Sequence, residues 1–350
     1  MAPLNLDVQT LRYRALIGTG GIGYGLFLAL KGEHTLGREE SRAVRMLDQR
    51  DYCKLHIITH YVQALLGPAF PTILIGRVGQ DPVGSQLLDE MRQTGLDVRY
   101  VRSDPAGQTL FSVCFTYPDG TGGNLTSDDS ACARVGAEDV RAAQGEFSLY
   151  AGRGIALAAP EVPLEARREL LELAGQHGFL RAGTFVSGEL GEAAEMGLLG
   201  QLDLLALNVH EAASAAGLDA EAGPPEQVAE QAAQRLLGEH PALLLSITAG
   251  RHGSWTWDGA RRQHVPAFPA RVASSAGAGD AHLGGILAGL AAGLSLGEAQ
   301  ELGSLTAAQA VASPHTIAPG VDREALQGYA AKTGLALSPG VAQLLQEPDF

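Results

Sequence analysis

Ser274-Ser275-Ala276-Gly277-Ala278-Gly279-Asp280-Ala281-His282-Leu283-Gly284-Gly285 runs straight into an apolar stretch that ends near Leu294. Small residues ahead of a helix leave backbone N–H groups unpaired and aimed outward, and the helix dipole adds partial positive charge at the same end. A phosphate oxygen fits such a place. Asp280 falls in the first turn of the expected helix, beside this anion hole, where a carboxylate can take the proton of an attacking hydroxyl. The plainer reading of the same residues is an N-capping aspartate in a glycine turn.

Outward from this segment, short apolar runs alternate with longer periodic ones, the pattern of strand–helix repeats around a mostly parallel sheet. Strands are expected at Tyr13–Gly18, Pro71–Val78, Gly154–Ala158, Leu202–Leu207 and Ala242–Thr248. Between them, Leu164–His177 puts Leu164, Leu170, Leu171 and Ala174 on one helical face, and a second helix is expected from Glu226 to Leu237 after the Gly223-Pro224-Pro225 loop. Leu110–Tyr117 alternates and breaks at Pro118-Asp119-Gly120, which reads as an edge hairpin of a small β lid within 107–125. The chain is therefore read as one α/β unit over 1–340 with a lid, followed by a tail at 341–350.

Two further turns carry chemistry. Ser246–Gly253 follows a buried strand and closes on glycines, with Thr248, Gly250 and Gly253 placed to lie against a nucleotide. Asn208 and Glu211, spaced i and i+3 at a nascent helix, suit the water shell of Mg²⁺, which takes few protein ligands. Helix capping is the alternative for that pair.

The composition excludes several classes. Thirty-nine acidic against 25 basic residues give a formal charge of -14, and only Lys31, Lys54 and Lys332 are lysines. No basic stripe is present for a nucleic-acid backbone. Neither a signal-type start nor an apolar run of spanning length is seen, so a cytoplasmic location is expected. Cys53, Cys114 and Cys132 form no CxxC pair and read as reduced thiols. His56 and His60, four apart on an expected helix, lack a third zinc ligand and read as packed or surface side chains. Trp255 and Trp257 read as packing in a hairpin.

Together the Gly277-Ala278-Gly279-Asp280 segment with Gly284-Gly285, the Asn208-x-x-Glu211 pair, the Thr248-x-Gly250-x-x-Gly253 turn and Ile75–Gly84 resemble the ribokinase/PfkB family of carbohydrate kinases. The resemblance implies a ribokinase-like three-layer sandwich with a small β lid, ATP as co-substrate, Mg²⁺, and a sugar-like acceptor. It makes Asp280 the base, gives Gly277, Ala278 and Gly279 the transferring phosphoryl, and gives Asn208 and Glu211 the metal. It also implies that Gly23 and its neighbouring glycines line the acceptor pocket, and it suggests a homodimer paired through lid edges. Departures accompany it. The family's sugar-binding Gly-Gly falls at Cys53-Lys54, its following Asn at Ile58, and its substrate aspartate at Gly23. Ser274 replaces an aspartate, and His282 stands where an aromatic is usual. Asn124, in the hydroxyl-rich Gly120–Ser130 stretch, is the first choice for a polyol contact, a solvated loop being the alternative.

Two rival functions remain open on the sequence: a kinase-fold protein that binds nucleotide or metabolite without turnover, motivated by the lost sugar anchors, and an NAD(P)-dependent oxidoreductase. The latter rests on Gly18-x-Gly20-x-x-Gly23, with Glu39 and Glu40 about 20 residues on. Gly25 and Gly32 weaken the helix that this fingerprint requires.

Overall fold

The computed structural model describes residues 1–7, 9–118, 122–259 and 261–347. Thirteen strands are formed among them: β1 Ala15–Thr19, β2 Gly23–Leu30, β3 Val44–Tyr52, β4 Thr72–Gly79, β5 Asp97–Asp104, β6 Leu110–Thr116, β7 Gly122–Thr126, β8 Gly154–Ala158, β9 Leu180–Gly183, β10 Leu204–Asn208, β11 Leu244–Thr248, β12 Ser254–Asp258 and β13 Arg261–Val265. Nine make one sheet in the order β13-β12-β11-β10-β9-β8-β1-β4-β5, parallel from β11 through β5, with β12 antiparallel to both neighbours. The other four make a small sheet, β3-β2-β6-β7.

Helices cover both faces of the large sheet, as a parallel sheet requires. The alternation of β1 decides the layering: Leu16 packs with Leu55, Ile58, Ile286 and Leu287 on one side. Ile17 packs with Leu170, Leu171, Val228 and Ala232 on the other. The first layer contains helices Lys54–Leu66, Ala278–Ala291 and Leu296–Ala310, and the second contains Leu164–Gln176 and Pro225–Glu239. The three layers expected from the sequence are present.

Boundaries differ in instructive places. The expected lid segment, 107–125, supplies only β6 and part of β7; the rest of the small sheet is β2 and β3, and the turn at 119–121 lies outside the described residues. Helix Pro339–Leu345 crosses the expected start of the tail and buries Val341, Leu344 and Leu345, so that part of the tail is core. The dinucleotide fingerprint fails on geometry. After β1 the chain passes in three residues into β2, an extended strand, so no helix N-terminus stands there to receive a pyrophosphate.

The C-terminal ends of β1, β8, β10 and β11 open on one edge of the large sheet, the customary ligand edge of such folds. The small sheet stands at the same edge, because β2 leaves β1 there and β3 runs directly into helix Lys54–Leu66.

Candidate active site

Helix Ala278–Ala291 begins after Gly277, whose φ of 77° is left-handed. A Cβ on Gly277 would lie 2.6 Å from the Thr316 carbonyl oxygen, so both the turn and the close approach demand glycine. The N–H of Ala278 turns back to the Ser275 carbonyl at 3.3 Å, and that of Ala281 to Gly277 at 2.9 Å. The anion hole is thus interrupted at Ala278: among the described residues the N–H groups of Gly277, Gly279 and Asp280 have no acceptor within the chain and are left for a ligand. The Thr248 hydroxyl, at the end of β11, lies beside Gly279, 3.9 Å from where a Cβ there would stand. Gly284 and Gly285 serve packing instead: a Cβ on Gly284 would stand 2.8 Å from Tyr61 Cβ, and one on Gly285 2.6 Å from Gly303 Cα, both on the neighbouring helices.

Asp280 does not stand alone. Lys54 Nζ lies 3.7 Å from its Oδ1 and 4.0 Å from Glu211 Oε1. Burial pushes the Asp280 carboxyl above its ordinary range, while Lys54 pulls it back. In turn Asp280 holds the Lys54 ammonium firmly protonated. This lysine, the first residue of helix Lys54–Leu66, supplies a cation that the sequence reading of the site lacked. A lone lysine at a helix start carries no pattern; only its closeness to Asp280 reveals it.

Glu161 was missed for the same reason. It follows β8 at a φ of 73°, a left-handed backbone that costs a non-glycine residue roughly 1–2 kcal/mol. Its Oε2 accepts the Lys54 N–H at 3.2 Å, and burial pushes its carboxyl up to about 7. Behind it, wholly buried Arg167 pairs with Glu189 at 2.8 Å, donates to the Thr184 carbonyl at 2.7 Å, and stacks 4.1 Å from the Phe185 ring. Glu189 is thereby held near Lys54 with its charge matched.

Asn208 and Glu211 form a reciprocal cap. Asn208 Oδ1 accepts from the N–H groups of His210 and Glu211, both at 2.9 Å, and Glu211 Oε2 accepts from Asn208 N–H at 2.8 Å. Capping is therefore real, and it still leaves Glu211 Oε1 turned toward Lys54. Among the described residues no three His, Cys, Asp or Glu side chains gather closely enough to cage a metal.

The glycine turn after β11 is a single 3₁₀ turn, Gly250–His252, closed by Gly253. It is fastened to the Asp280 helix by a buried network: His282 Nε2 meets Ser254 Oγ at 3.2 Å, and Gln300 Nε2 donates to Ser254 O and Oγ at 2.7 and 3.0 Å. Burial pushes His282 down to about 4, so it enters this network neutral. Thr248, Gly250, Gly253, Asn208, Glu211 and Gly277–Asp280 thus share one edge.

The two acceptor candidates fare differently. Gly23 begins β2 opposite Leu110, and a Cβ there would meet the Leu110 carbonyl oxygen at 2.4 Å, so the close approach of the paired strand by itself demands a glycine. Asn124 sits on β7, the exposed outer strand of the small sheet, opposite Cys114. His56 and His60 are buried in helix Lys54–Leu66, where burial pushes them down to about 3 and 4. Trp255 and Trp257 are core side chains.

Comparison with known proteins fits this arrangement. The family described as "pfkB family carbohydrate kinase" matches residues 60–323, three quarters of the chain. The sequence is 31% identical over 173 residues to the uncharacterized sugar kinase YegV of Escherichia coli, covering 48% of this chain and 50% of that one. It is 32% identical over 88 residues to a fructoselysine 6-kinase of Shigella flexneri, covering 25% and 34%. The chain thus spans at most half the length of these curated relatives. Among solved structures, ribokinase of Arabidopsis thaliana complexed with ribose and ATP superposes with a TM-score of 0.70 over 90% of this chain and 98% of that one, at 18% identity. That likeness speaks for the fold alone.

Proposed function

Because the chain belongs to the pfkB family of carbohydrate kinases, we propose that it transfers the γ-phosphoryl group of ATP to a hydroxyl of a sugar or related polyhydroxylated small molecule. The observation that carries the reading is the position of Asp280: in the first turn of a helix whose free N–H groups form an anion hole, with Lys54 3.7 Å away. The acceptor hydroxyl gives its proton to Asp280 as its oxygen attacks the γ-phosphorus. The bond from the γ-phosphorus to the β,γ-bridging oxygen breaks, and ADP leaves with that oxygen. The N–H groups of Gly279 and Asp280 and the Lys54 ammonium bear the charge that spreads over the phosphoryl oxygens. Thr248 and the Gly250–Gly253 turn carry the nucleotide.

Mg²⁺ fits this chemistry through Glu211 and Asn208. Burial raises the Glu211 carboxyl, and its Oε1 faces the same space as Asp280, so a hydrated divalent ion would relieve two desolvated carboxylates at once. When bound, it would shield the phosphate charge. A site retaining its base and anion hole favours turnover over silent binding. The reading takes the cytoplasm, where ATP is abundant, as the place of reaction, and no described helix is long and apolar enough to cross a membrane. It includes a homodimer joined through the small sheets, supported by exposed Val44, Met46 and Leu125, with a dimeric mass by light scattering as its check.

Coupled detection of ADP across neutral sugars, amino sugars and nucleosides tests the activity. Release dependent on both an acceptor and Mg²⁺ is expected. ATP–Mg²⁺ binding without release by any acceptor would return the protein to the silent-binder reading.

A further inference from the structure

The family's substrate aspartate falls at Gly23 in this chain, yet the site has a carboxylate from elsewhere. Asp51, near the end of β3, is 5% exposed. Its Oδ2 accepts from Ser112 Oγ at 2.6 Å and from Cys114 Sγ at 3.2 Å, two neighbours on β6. β2 runs between them, and the place opposite Asp51 and Ser112 on it is Gly25. A Cβ on Gly25 would stand 2.1 Å from Ser112 Oγ and 2.8 Å from Asp51 Oδ2. The glycine makes room for the carboxylate–hydroxyl pair above the middle strand.

The end of β3 is tied to the anion hole. Arg50 N–H donates to His315 Nδ1 at 2.8 Å, Thr316 N–H donates to the Arg50 carbonyl at 3.2 Å, and Tyr52 N–H donates to Thr316 Oγ1 at 2.9 Å. Thr316 is the residue whose carbonyl crowds Gly277. Asp51 is also near enough to Asp280 for its charge to raise the Asp280 carboxyl. Arg50 turns to Glu90 at 3.1 Å and leaves Asp51 without a cation from its own strand. The charged groups around Asp280 are therefore Asp51, Glu161 and Glu211 against Lys54, with Arg167 and Glu189 balancing each other.

We propose that Asp51 is the specificity-determining residue for the phosphoryl acceptor, receiving a hydroxyl or ammonium hydrogen of that acceptor, and that the acceptor carries no carboxylate or phosphate of its own. The proposal rests on the kinase reading. A carboxylate held by two donors is preorganised to receive a third, and a hydrogen bond to a charged group discriminates strongly because its loss leaves the carboxylate desolvated and underused. An anionic acceptor would bring a further negative charge among Asp51, Asp280 and Glu161, a juxtaposition that costs several-fold to many-fold in affinity. Ser112 and Cys114 are positioning residues for Asp51.

The experiment compares neutral aldoses and amino sugars with the matching aldonates and sugar phosphates, measuring acceptor KM and kcat by ADP release and ATP–Mg²⁺ affinity by calorimetry. For the wild-type protein, kcat/KM for the best neutral or amino acceptor is expected to exceed that of its acidic counterpart by about 100-fold. Asp51→Asn should raise acceptor KM by about 10- to 100-fold and narrow the neutral-to-acid gap by about tenfold, with ATP affinity held within about twofold. Ser112→Ala, a milder change that leaves the carboxylate in place, should move acceptor KM in the same direction by about threefold to tenfold and give a measurement should Asp51→Asn not fold. Wild-type preference for acidic acceptors overturns the proposal and leaves the kinase reading standing. Unchanged acceptor KM in both variants does the same. Absence of turnover with every acceptor overturns both together.

Discussion

Replacing Lys54 with methionine keeps the length of the side chain and the start of its helix but removes the cation 3.7 Å from Asp280 and 4.0 Å from Glu211. Asp280 works as a base only when deprotonated, and burial already pushes its carboxyl upward against the pull of Lys54. An opposite charge at this distance lowers a carboxylate pKa by about 1–3 units, so its loss should raise the Asp280 pKa by a similar amount. The acid limb of the kcat/KM profile then moves to higher pH by about 1–3 units. On that limb activity falls as pH drops through the pKa, so the variant should be about 10- to 1000-fold slower at a pH below both values and should partly recover in alkaline buffer. Steady-state ADP release from pH 5 to 9, with ATP–Mg²⁺ saturating and acceptor fixed far below its KM, reads the limb directly. A uniform loss at every pH, with the limb unmoved, would refute the coupling of Lys54 to the base and leave it only a binding contact.

Other substitutions probe the supports of the site. Glu161 sits at about 7 in the fold against an ordinary 4.5, so the folded protein keeps a proton that the unfolded chain releases, and stability falls as pH rises from about 4.5 through 7. Glu161→Gln should accordingly gain up to about 3 kcal/mol at pH 8 and nothing at pH 4 in urea denaturation; parallel pH curves for the two proteins would contradict this. Gly277→Ala sets a Cβ 2.6 Å from the Thr316 carbonyl at a left-handed φ, and should cost at least about 1–2 kcal/mol, a loss below about 0.5 kcal/mol counting against it. Gln300 is wholly buried and bonds Ser254 and Thr256 at once. Gln300→Leu leaves these partners unpaired and should lower stability by about 2–3 kcal/mol; an unchanged urea midpoint would remove the network as a fastening of the glycine turn.

The fold was legible where short-range physics decides it. Gly154–Ala158 is a run of small and apolar residues that can only be a strand buried on both faces, and it is observed with those bounds. The helix after Gly277 declared itself through small residues giving way to an apolar run. By contrast β3 was not readable: Arg45, Arg50 and Asp51 interrupt any alternation, and an outer strand of a small exposed sheet does not need one. Its partner β2 was hidden behind glycines that suggested a nucleotide loop, although Gly25 is small because Asp51 and Ser112 meet above it. The candidate site divides in the same way. Asp280, Asn208, Glu211 and Thr248 sit at element ends with local signatures. Lys54, Glu161 and Asp51 come from three separate strand exits or helix starts, and their relation to Asp280 exists only in the folded chain.

The role of Asp280 as base is tested most directly by Asp280→Asn, assayed for acceptor-dependent ADP release beside calorimetric ATP–Mg²⁺ binding. The account predicts turnover lower by about 10³-fold or more with nucleotide affinity retained, since the N–H groups of the anion hole remain. Turnover within about tenfold of the wild type would contradict it.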